Sequence, residues 1–135
     1  MAFTDPVANL GPDADKFRAL DGAEQDASDA GRPIYTFTPH RAPLGLSFDT
    51  AGALTTFKND GFMLSWGWGI ERPTLSDTGQ DLLHLDIARQ GDRYEARVTQ
   101  IARGFDHPID SVLIGNALYV LEYGGTGAIW EITLP

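Results

Sequence analysis

Side chains that bind planar, sugar-like or anionic molecules lie in four short segments of this sequence. The six candidates for ligand contact are His40, Arg41, Trp66, Trp68, His107 and Tyr123. An arginine guanidinium pairs with carboxylates through two parallel hydrogen bonds, and an aromatic ring offers a face for a sugar or a flat cofactor. Histidine adds acid/base or metal-binding capacity near neutral pH. Because the candidates are far apart in the chain, the fold must bring them together before they form a site.

Each candidate also has a purely structural interpretation. Trp66 and Trp68 are two residues apart, so on a strand they point the same way and either pack against a neighbouring sheet or form a stacking platform. Gly67, between them, favours close approach of a backbone or a ligand. His40 and His107 either bond to neighbouring turns or act as a metal-binding or acid/base pair.

Neighbouring polar residues receive other assignments. Asp110 follows Pro108 closely and is expected to hold a corner by accepting backbone N–H groups. His84, between leucines, is expected to project to solvent or to a facing blade and receives no role. Glu122 is expected to line the same face as Tyr123. The sequence has no serine-hydrolase, zinc-protease or EF-hand motif, so we predict neither a catalytic residue nor a metal ligand in this chain.

Charge and composition exclude several classes of partner. The chain has 135 residues and a formal net charge of −9, which argues against nucleic acid and anionic membranes because like charges repel. No apolar run reaches the length of a membrane helix, and the first residues lack the basic and apolar regions of a secretory signal. The absence of cysteine excludes disulfides and thiolate sites.

The elements that must position the candidates are short strands. Fifteen glycines and eight prolines favour frequent turns. Residues 1–32 are rich in acids, alanine and glycine, and we expect an acidic loop or partly ordered arm there. In residues 33–135 an internal repeat relates Pro43 to Pro108, with similar strands after each proline. Such a repeat is typical of propellers, so we predict an all-β fold of about two four-stranded antiparallel β-propeller blades.

The repeat also assigns strands to blades. Residues 33–38 are expected to be the outer strand of a preceding blade. Residues 43–102 are expected to form one blade, with strands at 43–48, 61–68, 81–88 and 94–102. Residues 109–134 are expected to form three strands of the last blade, at 109–114, 117–123 and 127–134. The last blade then lacks its fourth strand, which predicts an open edge that other copies of the chain, or further blades of a longer protein, must cover.

Two segments, "HRAPLGLSFDTAG" and "GFDHPIDSVLIGNALYVLEYGGTGAIWEITLP", resemble the C-terminal part of the glucose/sorbosone dehydrogenase family. The shared features are a His-x-Ala-Pro-x-Gly corner, a Gly-Phe-x-x-Pro-x-Asp corner and a closing Leu-Tyr-Val…Gly-x-Ile-x-x-Ile strand pair. The resemblance covers roughly residues 33–135. It implies a six-bladed propeller that oxidises a sugar with pyrroloquinoline quinone (PQQ) and calcium, in a periplasmic or secreted protein.

The resemblance also implies which part of the site this chain supplies. In that family the catalytic histidine and the calcium site lie in earlier blades, so this chain is expected to contribute pocket wall and no catalytic base. Contacts to PQQ are expected at the corners between blades and after each second strand, where the six candidates lie. Lys or Arg often meets the carboxylates of PQQ at these places, and here Arg41 is the obvious cation.

Three functions stay open at this point. The leading one is part of a PQQ-dependent sugar dehydrogenase-like propeller. The alternative is a non-catalytic binding or scaffold propeller, in which three copies of the two blades close one ring. The third is an unrelated six-bladed hydrolase-like propeller with acidic metal ligands spread over all blades. The expected partners are a small-molecule sugar and either further copies of the chain or the remaining blades.

Overall fold

The protein is all-β, as the sequence predicts. The computed structural model describes residues 4–68 and 75–135, and in these residues it has ten strands and no helix. The strands are β1 (Ala8–Pro12), β2 (Lys16–Arg18), β3 (Glu24–Asp26), β4 (Pro43–Phe48), β5 (Gly61–Ser65), β6 (Asp81–Gln90), β7 (Arg93–Arg103), β8 (Pro108–Ile114), β9 (Ala117–Glu122) and β10 (Ile129–Thr133). The described residues include no helix of the length and apolarity needed to span a membrane.

Four consecutive antiparallel strands, β4 to β7, make the first blade. The central strand β5 carries a continuous apolar run, and the first half of β6 is also mostly apolar, because both faces of these strands are covered. Phe62 and Leu64 face one side of the blade, whereas Met63 faces the other. Residues 69–74, between β5 and β6, lie outside the described residues.

Strands β8, β9 and β10 make the second blade, a three-stranded antiparallel sheet with β10 at its edge. The main core lies between the two blades. It contains Leu54, Phe62, Leu64, Leu82, Phe105, Leu118, Val120 and Leu134. Burial of these side chains joins the blades into one unit, since each fully buried aliphatic or aromatic side chain contributes roughly 1.5–3 kcal/mol.

The innermost strands of the two blades, β4 and β8, lie side by side. The Ser47 hydroxyl bonds to the Ser111 carbonyl oxygen at 2.9 Å and lies 2.9 Å from the Ser111 hydroxyl. Gly45 has a φ of +54°, and a Cβ there would stand 2.8 Å from Asp110 Cα. The absence of a side chain at Gly45 therefore sets how closely the blades approach.

Equivalent corners precede the two inner strands. Ala42 lies before Pro43 and His107 lies before Pro108, and both have positive φ, 48° and 56°. Each inner strand then carries a register shift within its first residues. Within these equivalent corners the structural counterpart of His107 is Ala42, and His40 lies two residues before it.

The N-terminal region is more ordered than its composition predicts. Instead of a loop or arm, residues 8–26 contain three strands, and β1 pairs in parallel with the outer edge of β7. The acids are used as main-chain acceptors: Asp13 accepts from the Gln100 N–H at 2.8 Å, and buried Asp15 accepts from the Ser28 N–H at 2.8 Å. These hydrogen bonds stabilise the N-terminal strands, whose sequences contain few β-forming side chains.

Residues 33–38 do not form the continuous strand that was expected. A single β-bridge joins Ile34 to Asn9, and the Asn9 amide donates to the Thr36 carbonyl oxygen at 3.3 Å. Phe37 packs against the apolar face of the first blade that carries Met63. The segment therefore covers the part of that face around Met63, without being part of a regular sheet, and leaves Leu46 and Phe48 exposed.

Candidate functional site

The six candidate residues lie at one end of the blades, which we call the upper end. It is defined by the starts of β4, β6 and β8 and the ends of β5, β7 and β9, because Pro43 pairs with Ser65, Ser65 with Asp81, and Pro108 with Glu122. His40 and Arg41 precede β4, and His107 precedes β8. Trp66 and Trp68 follow β5, and Tyr123 follows β9. Antiparallel topology therefore brings these distant segments to one end.

Arg41 is the most enclosed of the six. Its side chain is 2% exposed, its guanidinium forms ion pairs with Asp77 and Asp81, and its Nε donates to the Ser65 hydroxyl at 3.2 Å. The expected role in binding a ligand anion is not what this geometry provides, because carboxylates of the same chain already take up the charge. Arg41 instead fastens the corner before β4 to the first residue of β6.

The segment after β5 is held by main-chain bonds. Trp66 N–H donates to the Ala42 carbonyl oxygen at 3.1 Å, and Gly67 N–H donates to the Arg41 carbonyl oxygen at 2.8 Å. A Cβ on Gly67 would collide with the backbone of Thr78 and Gln80. Gly67 therefore permits a close approach of its own backbone to the backbone of Thr78 and Gln80, and not to a ligand.

Three rings from both blades form an aromatic cluster, which consists of Trp66, His107 and Tyr123. The Trp66 ring lies 4.6 Å from the His107 ring at an interplanar angle of 61°, and 5.6 Å from the Tyr123 ring at 35°. Tyr123 is 72% exposed, whereas Trp66 and His107 are half-buried. The cluster is thus a partly open aromatic surface that spans the junction between the blades.

Two carboxylates adjoin this aromatic cluster. The His107 Nδ1 atom is paired with the carboxylate of Asp106, which fixes the orientation of the imidazole ring. Buried Glu122 accepts from the Asp106 N–H at 2.6 Å and from the Trp130 indole N–H at 3.2 Å. Asp106 remains half-exposed, so its carboxylate is available as a hydrogen-bond acceptor beside the rings.

Trp68 and His40 form a separate ring pair. Their centroids are 5.7 Å apart at an interplanar angle of 84°. The expectation that Trp66 and Trp68 point the same way rests on a strand that continues through Trp68, but β5 ends at Ser65 and Gly67 has a φ of +70°. The two tryptophans consequently join different groups of rings.

The structure also settles the neighbouring assignments. Asp110 accepts from the Ser111 N–H at 2.8 Å, so it bonds to the main chain next to its corner as expected. His84 is buried, in contrast to one of its expected orientations. Its Nε2 lies 2.7 Å from a carboxylate oxygen of Asp60, and its ring lies 4.5 Å from that of Phe57. This histidine belongs to the packing of the first blade.

Sequence reasoning missed the acidic partners of the site. Asp77 and Asp81 surround Arg41, and Asp106 orients His107. The signal for Asp106 was its position directly before His107 at a proline corner. For Asp77 and Asp81 the signal was weaker, since only the pairing of β5 with β6 places them beside Arg41.

The described residues do not match PQQ and calcium directly. PQQ carries three carboxylates, and Arg41 is already neutralised by two aspartates. Arg103 is the other described arginine at the upper end, and it ends the peripheral strand β7. Within residues 4–68 and 75–135 no group of three or more His, Asp or Glu is placed to hold a metal ion.

Comparison with protein-family models, with curated proteins and with solved structures gives no match for this chain.

Proposed function

We propose that the upper end of the blades binds a carbohydrate ring and forms part of the pocket wall of a sugar dehydrogenase-like propeller. The observation that carries this proposal is the aromatic cluster at the junction of the blades, with the half-exposed carboxylate of Asp106 beside it. The resemblance to glucose/sorbosone dehydrogenases supplies the substrate class, an aldose or related alcohol.

The chemistry of the cluster suits a sugar better than a polyanion. A pyranose presents C–H groups on its faces, which pack on aromatic rings, and hydroxyls around its rim, which donate to carboxylates. Tyr123 and His107 supply the aromatic surface, and Asp106 supplies the acceptor. A tricarboxylate would instead bring negative charge towards Asp106 and Glu122, in a chain whose formal net charge is already −9.

The role we propose for this chain is binding without catalysis. The described residues that we place at the wall orient a sugar ring and exclude water from one side of it. Purified chain supplied with D-glucose, PQQ and Ca²⁺ should therefore fail to reduce an electron-accepting dye, and turnover would refute the proposal.

Sugar binding is tested with a matched pair of tyrosine variants. Tyr123 lies in the aromatic cluster, whereas Tyr94 lies in the hairpin between β6 and β7, at the opposite end of the blade. Tyr123→Leu should weaken the binding of D-glucose, and Tyr94→Leu should leave it unchanged. Equal effects of the two substitutions would count against the proposed wall.

A second candidate function is a non-catalytic carbohydrate-binding or scaffold propeller. The enclosed ion pairs of Arg41 favour it, because the guanidinium that the resemblance would direct at PQQ is used to hold the fold. The two candidates differ in PQQ binding. Equilibrium dialysis of the whole chain with PQQ and Ca²⁺ separates them, since retention of PQQ fits only the first.

A further inference from the structure

The second blade ends in an unpaired strand. Its order is β8, β9, β10, and β10 has a hydrogen-bonded neighbour on one side only in the described part of the chain. Ile129, at the start of β10, is 70% exposed. An exposed edge of this kind is a template for a further strand, whereas the outer strand of the first blade, β7, is already covered by β1.

Residues 33–38 carry the complementary unpaired edge. Ile34 exchanges main-chain bonds with Asn9, and Thr38 N–H donates to the Ala14 carbonyl oxygen at 2.8 Å. Between them, the main chains of Tyr35 and Phe37 make no hydrogen bond to the rest of residues 4–68 and 75–135. The main-chain groups of Tyr35 and Phe37 are thus available for pairing, which requires that the bends at Tyr35, Thr36 and Thr38 straighten into a strand.

The two blades also leave matching apolar faces. The face of the second blade that points away from the first carries Val112, Ile114, Tyr119, Leu121 and Ile129 around a shallow cavity of about 360 Å³. The face of the first blade that points away from the second carries Leu46, Phe48, Met63 and Leu85, with Tyr35 and Phe37, around a cavity of about 260 Å³. Both faces are apolar, as the surfaces between blades are.

The internal repeat defines how these faces correspond. Within the chain, Ser47 of β4 meets Ser111 of β8 at the junction of the blades. With Pro43 equivalent to Pro108, the repeat counterpart of Ser47 is Val112, and that of Ser111 is Leu46. Val112 is 52% exposed and Leu46 is 58% exposed. Suppose that the first blade of a second copy packs on the second blade in the same way as the second blade packs on the first. Val112 of one copy then lies against Leu46 of the other.

We propose that a second copy of this chain packs its first blade on the second blade of its neighbour, with residues 33–38 pairing with β10 as the missing fourth strand. Residues 33–38 also occupy the position in the chain that is expected for the fourth strand of a preceding blade. Residues 33–38 precede the corner before β4, as β7 precedes the corner before β8, and β7 completes the blade that comes before β8. This head-to-tail contact repeats, and a ring of four to eight blades, the usual range for propellers, takes two to four copies with two blades each. The proposal is independent of carbohydrate binding.

The mass of the whole chain in solution tests this association. Light scattering after size exclusion should give a particle of two to four times the chain mass of 14.7 kDa. A single-copy mass at every concentration up to about millimolar would overturn the proposal, and would leave these faces to the further blades of a longer protein.

Charge substitutions then test the predicted contact. Val112→Asp and Leu46→Lys should each give a single-copy mass, because each places a charge in an apolar interface. The double variant Val112→Asp with Leu46→Lys should regain the associated mass, since the two charges would then face each other. Leu20→Lys is the control, because Leu20 is fully exposed and belongs to neither face. Association that survives the single substitutions would overturn the proposed geometry.

Hydrogen exchange tests the strand pairing separately. The outward-facing amides of β10 should exchange slowly in the associated wild-type chain and at least tenfold faster in Val112→Asp. Circular dichroism of the variant should retain the β spectrum, which shows that the blade itself remains folded. Equal exchange of these amides in both proteins would refute the pairing of residues 33–38 with β10.

Discussion

The Trp66 ring, which follows the last residue of β5, lies 4.6 Å from the His107 ring, which precedes the first residue of β8. The two residues belong to different blades, so this contact joins the blades at their upper end. It complements the contact between Ser47 and Ser111, which joins the innermost strands along their length.

The contact between Trp66 and His107 should be measurable as a coupling energy. Aromatic pairs of this kind contribute roughly 0.5–1.5 kcal/mol beyond the area they bury. We expect the double variant Trp66→Ala with His107→Ala to lose less stability than the sum of the single variants, by an amount in that range. Urea unfolding measures all four proteins, and strictly additive losses would contradict the contact.

Arg41 should contribute strongly to stability. Arg41→Met leaves the carboxylate of Asp81, which is fully buried, without its cationic partner. Loss of one member of a buried ion pair destabilises by roughly 3–5 kcal/mol. The control is Arg89→Met, because Arg89 and Asp92 are both exposed and such pairs are worth roughly 0–1 kcal/mol. Similar unfolding midpoints for the two variants would show that the Arg41 ion pairs do not hold the corner.

Gly45 should tolerate a methyl group less well than Gly91 does. Both have positive φ, +54° and +63°, but a Cβ on Gly45 meets Asp110 at 2.8 Å, whereas nothing lies within 4 Å of one on Gly91. The backbone strain of alanine is about 1–2 kcal/mol at either position. Gly45→Ala should therefore lose roughly 1–3 kcal/mol more than Gly91→Ala, because it also forces β4 and β8 apart. Equal losses in urea unfolding would place the blades farther apart than the structure does.

Acid should weaken the antiparallel pair of β2 and β3 through Glu24, the first residue of β3. Hydrogen bonds from Lys16 and then from Ser76 lower the pKa of Glu24 from 4.5 to about 2. The charged carboxylate is thus favoured by folding, and its contribution is present above pH 4.5 and lost as the pH falls towards 2. Glu24→Gln should show a shallower fall in unfolding free energy over this range than the wild type. Lys16→Met should flatten the curve similarly, and parallel curves for all three proteins would contradict this linkage.

The strands of the blades were predictable because their pattern is local. The apolar runs around Phe62 and Leu83, the proline corners and the glycine turns each mark an element without reference to the rest of the chain. The N-terminal strand β1 was not predictable in this way. It is held by the side chain of Asn9 and by pairing with β7, which is more than eighty residues away in sequence.

The candidate site shows the same difference between features set by local sequence and features set by tertiary contacts. Antiparallel topology alone brings Trp66, His107 and Tyr123 to one end of the blades. The environment of Arg41 depended on tertiary contacts with Asp77 and Asp81, which no local pattern announces. From sequence alone, an arginine at a corner is interpreted as a cation that is available to a ligand, because only the fold shows which carboxylates enclose it.

Titration of the whole chain with D-glucose, followed by NMR of the Trp66 indole N–H, tests the central claim most directly. We expect a saturable shift of this signal in the wild type and in Tyr94→Leu, and at least a severalfold weaker response in Tyr123→Leu. No shift in the wild type, or the same shift in all three proteins, would contradict a carbohydrate-binding wall at the upper end of the blades.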